Sequence, residues 1–224
     1  MKQFNHVESK KLLELDKIEN ENGRFYISPS GMKLPSITTI LGSFEKDGLQ
    51  DWRNRIGEEE AEKIVKKAGV RGQKYHDLVE RYIRNDHTDI TKGLMPDMKQ
   101  MFNLARKKLD HIDNVRYIEA TLFSEKMGTA GRCDLIADYD NVLSIIDHKT
   151  SRSRKKKEWI SHYFEQCAGY GQMFYEMTGT QIEQVVIILV DDFGNVDAYV
   201  EPIDKYLQNL LEKIALYRKE NNVL

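Results

Sequence analysis

The residues best placed to do chemistry are Asp134 and, thirteen positions on, the string Asp147-His148-Lys149. Between them Asp140-Asn141 has the residue types of a two-residue hairpin loop. With Tyr139 facing Val142 across that loop, counting back along both strands sets Asp134 opposite Asp147. Directly opposed side chains have Cβ atoms about 4.5–5.5 Å apart, and alternation along the strand puts Lys149 on the face of Asp147. Two carboxylates at roughly 4 Å repel by about 4 kcal/mol at an effective dielectric near 20, unless one keeps its proton. A divalent cation reverses the sign of that interaction. Paired carboxylates with a backbone carbonyl form an oxygen-rich site suited to Mg²⁺ or Mn²⁺. A lysine beside the cation can orient or deprotonate water and offset charge on a phosphate. The expected chemistry is metal-assisted phosphodiester hydrolysis. An Asp-x-Lys tripeptide alone is usually a solvated edge or an ion pair. The opposed aspartate and the flanking Leu135, Ile136, Ile145 and Ile146 set this one apart.

The surrounding elements must hold that hairpin. Arg24–Ile27 reads as a short strand ended by the turn Ser28-Pro29-Ser30-Gly31, and Ser36 as the N-cap of a short helix through Leu41. From Gly57 to about Asn85 apolar residues recur at helical spacing, with Gly69 and Gly72 as points of interruption. Met98–Leu109 reads as another helix. Val115–Ser124, Ala130–Asp138 and Val142–Lys149 read as a meander. A helix over Glu158–Thr178, a buried strand over Val185–Val190, a strand over Asn195–Val200 and an amphipathic helix over Tyr206–Tyr217 follow. This order predicts an α/β fold with helices on both faces of a mixed sheet. One domain is expected over 1–224: a strand and helical region over about 1–112, then the sheet and its flanking helices over about 113–224.

Asp134 followed after a hairpin by Asp147-His148-Lys149 resembles the two core motifs of the PD-(D/E)XK nucleases. Gly72-Gln73-Lys74-Tyr75-His76-Asp77-Leu78-Val79-Glu80 resembles the upstream glycine–histidine–glutamate helix of the RecB-like branch, and Gln166-Cys167-Ala168-Gly169-Tyr170 its downstream glutamine-xxx-tyrosine motif. Within that branch the chain is similar to the mitochondrial genome maintenance exonucleases and their phage relatives. It shares the Pro-Ser-Ile-Thr-Thr-Ile-Leu segment Pro35–Leu41, a tryptophan-led helix from Trp52 to Lys63, and the string Asp147–Ser151. The resemblance covers roughly Arg24 to Val190 and implies a restriction-endonuclease-like core, a central mixed β-sheet flanked by helices, with an N-terminal helical extension.

Carried over by residue, the resemblance implies metal ligands at His76, Asp134 and Asp147 and at the backbone carbonyl of His148. It implies Lys149 as the catalytic lysine and a supporting role for Gln166 and Tyr170. Spacings of four put Gln166 with Tyr170, and His76 with Glu80, on single helix faces. Glu119, in the strand before Asp134, enters as a carboxylate that either supports the ligands from behind or holds a second metal. The implied activity is a Mg²⁺- or Mn²⁺-dependent DNA exonuclease with one or two ions, favouring single-stranded ends or flaps, in phage or bacterial DNA replication, repair or recombination. A flap endonuclease and a catalytically silent nucleic-acid-binding module of the same fold are the rivals. Arg132 stands where relatives often carry a smaller or neutral residue, which adds a phosphate contact or alters metal access. The strict Pro-Asp of the superfamily is Cys133-Asp134 here.

Composition limits how DNA can be held. The net charge is −2 with 31% charged residues, so no global basic field exists and contacts must come from local patches. Lys149–Lys157 holds six basic residues and no acidic one. It is either a solvated loop or a grip on the phosphate backbone through Thr150, Ser151, Arg152, Arg154 and Lys155. Arg71 lies in a second, weaker basic stretch. Trp159 and Tyr163 either stack on unpaired bases or anchor their helix. The two cysteines, Cys133 and Cys167, exclude a four-cysteine iron–sulfur or zinc site and fit a reduced cytosol. Apolar runs are too short to span a bilayer, and Met1–Lys10 lacks the apolar segment of a secretory signal. A cytoplasmic protein of a bacterium or a phage-infected cell is therefore expected.

Overall fold

The computed structural model describes residues 2–221, the side chain of Asp47 excepted. A five-stranded mixed sheet carries the molecule, in the order β4 (Ile112–Ser124), β5 (Thr129–Tyr139), β6 (Val142–Ser151), β7 (Gln184–Asp191) and β8 (Val196–Pro202). Only β6 and β7 run parallel. Their crossover is α5 (Ser161–Thr178), entered through a 3₁₀ turn at Lys157–Trp159. The remaining helices are α1 (Ile37–Ser43), α2 (Lys46–Ile56), α3 (Glu58–Ile83), α4 (Pro96–Leu109) and α6 (Asp204–Glu220). A small antiparallel sheet joins β1 (Asp16–Asn20), β2 (Gly23–Ile27) and β3 (Lys33–Pro35). This is the α/β arrangement expected from the sequence: a central mixed sheet with helices on both faces and an N-terminal helical part. Among the described residues no helix is long and apolar enough to cross a membrane.

Each sheet face buries its own core. On one, Ile136, Ile145, Ile187 and Leu189 pack against α5, α6 and α1 through Phe164, Met173, Leu210 and Ile37. On the other, Leu135, Ile146, Val186 and Ile188 pack against α3 and α4 through Tyr75, Val79, Phe102 and Leu109. β6 and β7 are buried on both faces, and Val185–Val190 accordingly reads as a continuous apolar run. Gly169 allows α1 and α6 to approach α5, since a Cβ there would stand 2.2 Å from Ile37 Cδ1 and 2.7 Å from Leu210 Cδ2.

Local signals account for most boundaries. The Ser36 hydroxyl accepts from the Thr39 N–H at 3.0 Å and starts α1. Asp140 and Asn141 both take positive φ, 51° and 65°, as a two-residue hairpin of matching twist requires. Two expectations change. The helix expected from Trp52 to Lys63 is broken at Gly57, whose φ of 89° separates α2 from α3. Neither Gly69 nor Gly72 interrupts α3, which is continuous for 26 residues. β1, which sequence periodicity does not suggest, is an edge strand whose five residues are all exposed. The N-terminal segment lies along β4, with Val7 N donating to Val115 O and Val115 N to Asn5 O, each at 2.8 Å.

Candidate metal centre

The β5–β6 ladder begins at Tyr139 and Val142 beside the Asp140-Asn141 turn and runs in even register to Leu135 and Ile146, where it ends. One step further the same register opposes Asp134 to Asp147. There the strands part: β5 continues against β4 and β6 against β7. The His148 N–H donates to Asp134 Oδ2 at 3.0 Å across the opening.

A second irregularity faces the first. Along β4 and β5, Tyr117, Ala120, Cys133 and Ile136 all pack on the α5 side, whereas Ile118 and Leu135 pack on the α3 side. Strict alternation would separate Tyr117 from Ala120 and Cys133 from Ile136. Both strands therefore change phase together at Glu119 and Asp134, the one opposed pair missing between Ile118–Leu135 and Ala120–Cys133. Glu119 has φ of 57°, a left-handed conformation that costs a glutamate roughly 1–3 kcal/mol and is typical of functional sites.

The kink brings Glu119 and Asp134 together with His76 of α3. One donor atom from each of the three lies within 4.8 Å of the others, and His76 Nδ1 is 3.3 Å from Asp134 Oδ2. Two carboxylates at 4.8 Å would repel by about 3 kcal/mol at an effective dielectric near 20. Burial pushes the Glu119 carboxyl upward, Asp134 adds to this, and Arg132 opposes it. Arg132 Nε sits 2.7 Å from Glu119 Oε2 and also donates to the Glu119 carbonyl at 3.2 Å. Its guanidinium thus neutralises a carboxylate of the centre.

Asp147 and Lys149 are held from the α5 side. Asp147 is 1% exposed. Gln166 Nε2 donates to Asp147 Oδ1 at 3.4 Å and contacts the Tyr170 hydroxyl at 3.2 Å. Gly131 leaves room for the Tyr170 ring, since a Cβ there would stand 2.6 Å from Cε1. Lys149 Nζ lies 2.5 Å from Asp147 Oδ2 and 5.1 Å from the Tyr163 ring centroid. Burial raises the Asp147 carboxyl, Lys149 opposes, and the charge of Asp134 adds to the rise. For Lys149, burial favours the neutral amine, but Asp147 and Asp134 together outweigh it and the ammonium is held above its ordinary range. Asp147 Oδ2, although ion-paired, has no aligned hydrogen-bond donor.

The donor set fits a divalent cation: an imidazole nitrogen and two carboxylates converge, and a buried carboxylate oxygen beside them has no directional partner. Hard oxygen donors of this kind suit a divalent cation better than a thiolate-binding metal. Cys133 and Cys167 are buried in the apolar core on the α5 side, with thiols pushed upward by burial.

The remaining expected residues divide. The His148 N–H, beside the carbonyl expected as a ligand, donates to Asp134 Oδ2. The His148 ring was not anticipated: it is 3% exposed, lies edge-on to His76 at 6.3 Å, and has no partner for either nitrogen among the described residues. Burial and His76 lower its pKa to about 3, so the ring is neutral. The Tyr75 hydroxyl beside His76 is likewise buried without a partner. Ser151, expected at the phosphate backbone, is buried, and its hydroxyl donates inward to Ser153 O at 2.8 Å. Arg71 is paired with Asp192, and Arg154 with Asp197 through two bonds of 2.9 and 2.7 Å. Thr150 is half-buried beside Gly72, Arg152 is exposed and Lys155 half-buried. Trp159 is 59% exposed, with Lys156 Nζ 5.4 Å from its ring centroid, and so is no core anchor.

No family model and no curated protein matches the chain. Among solved structures it is similar to a provisionally assigned exonuclease from Eubacterium rectale over 69% of each chain, at 13% identity and a TM-score of 0.45. It is also similar to the protein SSO0001 over 63% of this chain and 69% of that one, at 18% identity and a TM-score of 0.32. The functional case therefore rests on the side chains themselves.

Proposed function

We propose that this protein is a Mg²⁺- or Mn²⁺-dependent deoxyribonuclease of the PD-(D/E)XK superfamily, from the RecB-like branch that includes the mitochondrial genome maintenance exonucleases. The observation that carries the reading is the parting of β5 from β6 where His76, Glu119 and Asp134 converge beside the buried Asp147–Lys149 pair. His76, Glu119, Asp134 and Asp147 would hold the ion. When bound, it supplies Lewis-acid polarisation of a phosphoryl oxygen and a more acidic water. Lys149, ion-paired with Asp147, orients or deprotonates water and offsets charge building on the phosphate. Gln166, steadied by Tyr170, fixes the Asp147 carboxylate. Arg152 and Lys155 offer cations to the strand, and Thr150 a hydroxyl. The whole of 1–224 forms one nuclease domain in this reading. The activity is exonucleolytic on single-stranded ends or flaps, in bacterial or phage-infected cytoplasm.

The test is degradation of end-labelled single- and double-stranded DNA, with covalently closed single-stranded circles alongside, in Mg²⁺, Mn²⁺ or chelator. Shortening of linear strands with either ion, intact circles, and no reaction for Asp134→Asn or in chelator are the expected results. Cutting of closed circles replaces the exonuclease by an endonuclease. Cleavage that survives chelator overturns the metal reading.

A further inference from the structure

Outside the metal centre a trough follows the exposed face of α3. One hollow, of about 300 Å³, lies between Lys63, Lys67 and Arg71 and, across from them, Arg152, with Glu60 and Asp192 also on its wall. A second, of about 320 Å³, shares Lys67 and Arg71 and is bounded by Met98 and Met101 of α4, by Phe193 and by Asp97, Asp191 and Asp192. Lys63, Lys67 and Arg71 recur every four residues and so share one side of the helix. Glu59 pairs with Lys63 and Asp192 with Arg71, while Lys67 and Arg152 have no ion pair among the described residues.

Phe193 is the anomaly. It is 78% exposed, more than any other large apolar residue described, and it stands at the tip of the β7–β8 hairpin. That turn is held firmly. The buried Asp191 carboxylate accepts from the Phe193 and Asn195 N–H groups at 2.9 Å each, and from Asn195 Nδ2 at 2.8 Å. A phenyl ring held in water on a fixed backbone offers a flat apolar face in the same hollow as Lys67, with Arg152 further along the trough. Phosphates along Lys67 and Arg152, with one base against the ring, is the chemistry of an unpaired nucleic-acid strand. A duplex keeps its base faces stacked inside and could use only the cations. The trough also abuts the proposed site: Arg71 precedes His76 by five residues, about 7.5 Å of helix axis, and Asp191 pairs across the sheet with Ser151, two residues after Lys149.

The geometry points to Phe193 as the stacking platform for an unpaired base of a strand whose phosphates lie on Lys67 and Arg152, the two cations of the trough without an ion pair among the described residues. This assignment rests on the nuclease reading above. It is tested by fluorescence anisotropy of a fluorescein-labelled oligothymidylate in chelator, where no hydrolysis occurs, and of an abasic strand of equal length. Phe193→Ala should weaken oligothymidylate binding about 5- to 100-fold and leave abasic binding nearly unchanged. Phe193→Trp should retain affinity, with an emission change on binding beyond that of the wild type. Equal binding by Phe193→Ala and wild type, or an equal loss on the abasic strand, overturns the platform. Wild type that binds and cleaves with Phe193→Ala unaffected removes the platform alone, whereas wild type that binds neither strand removes the nuclease reading with it.

Discussion

Replacing Lys149 by methionine keeps most of the aliphatic stem and removes the charge, leaving the Asp147 carboxylate 1% exposed without its cation. At the observed 2.5 Å the gross attraction is about 7 kcal/mol at an effective dielectric near 20. Much of it offsets the desolvation of both ions, so the measurable loss is about 3–5 kcal/mol. For a chain of this size each kcal/mol moves Tm by roughly 2–4 °C, which gives a fall of about 6–20 °C at pH 8 in chelator. The pH dependence identifies the cause. Burial already raises the Asp147 carboxyl, and without Lys149 the rise is larger. A folded pKa above the unfolded value of about 3.9 means that the folded state binds the proton more tightly. Stability is then fully present below the unfolded value and is lost as pH rises through the folded one. The deficit of Lys149→Met against wild type should therefore be small near pH 4.5. It should grow with a slope of at most about 1.4 kcal/mol per pH unit and level off above the folded pKa. Urea denaturation from pH 4.5 to 8 reads this directly. Combining Lys149→Met with Asp147→Asn should flatten the profile. A deficit that is equal at pH 5 and pH 8, or absent at both, would refute the buried-pair reasoning.

Two further expectations concern the scaffold of the site. Gly131→Ala drives a Cβ to 2.6 Å from the Tyr170 ring. It should cost about 1–3 kcal/mol in a denaturation experiment and slow cleavage by loosening Gln166 from Asp147; unchanged stability would show that the ring moves freely. Asp140→Ala with Asn141→Ala places alanine at φ of 51° and 65° and should lower stability by about 1–2 kcal/mol, while Asn141→Gly should not.

The hairpin was legible because turn chemistry and strand period act locally: Asp140-Asn141 fixes the register, and the register opposes Asp134 to Asp147. Ser36 as a cap was legible for the same reason. The joint phase change of β4 and β5 at Glu119 and Asp134 was not, because a left-handed glutamate has no sequence signature. What holds it there is packing on both sheet faces. That kink turns Asp134 toward His76 and Glu119, while Asp147 stays with Lys149 and Gln166. Ion pairing was equally invisible. Arg71, Arg132 and Arg154 read as free cations along the chain, but Asp192, Glu119 and Asp197, distant in sequence, already hold them. β1 escaped notice because an exposed edge strand needs no apolar alternation.

The proposal stands or falls on whether the carboxylates and the imidazole at the parted strands bind a doubly charged ion. Anomalous diffraction from a crystal grown or soaked with Mn²⁺ decides it. The expected result is a peak bounded by His76, Glu119, Asp134 and Asp147 that disappears in Asp134→Asn. A fully ordered site with no peak there, at Mn²⁺ concentrations that support cleavage, would contradict it.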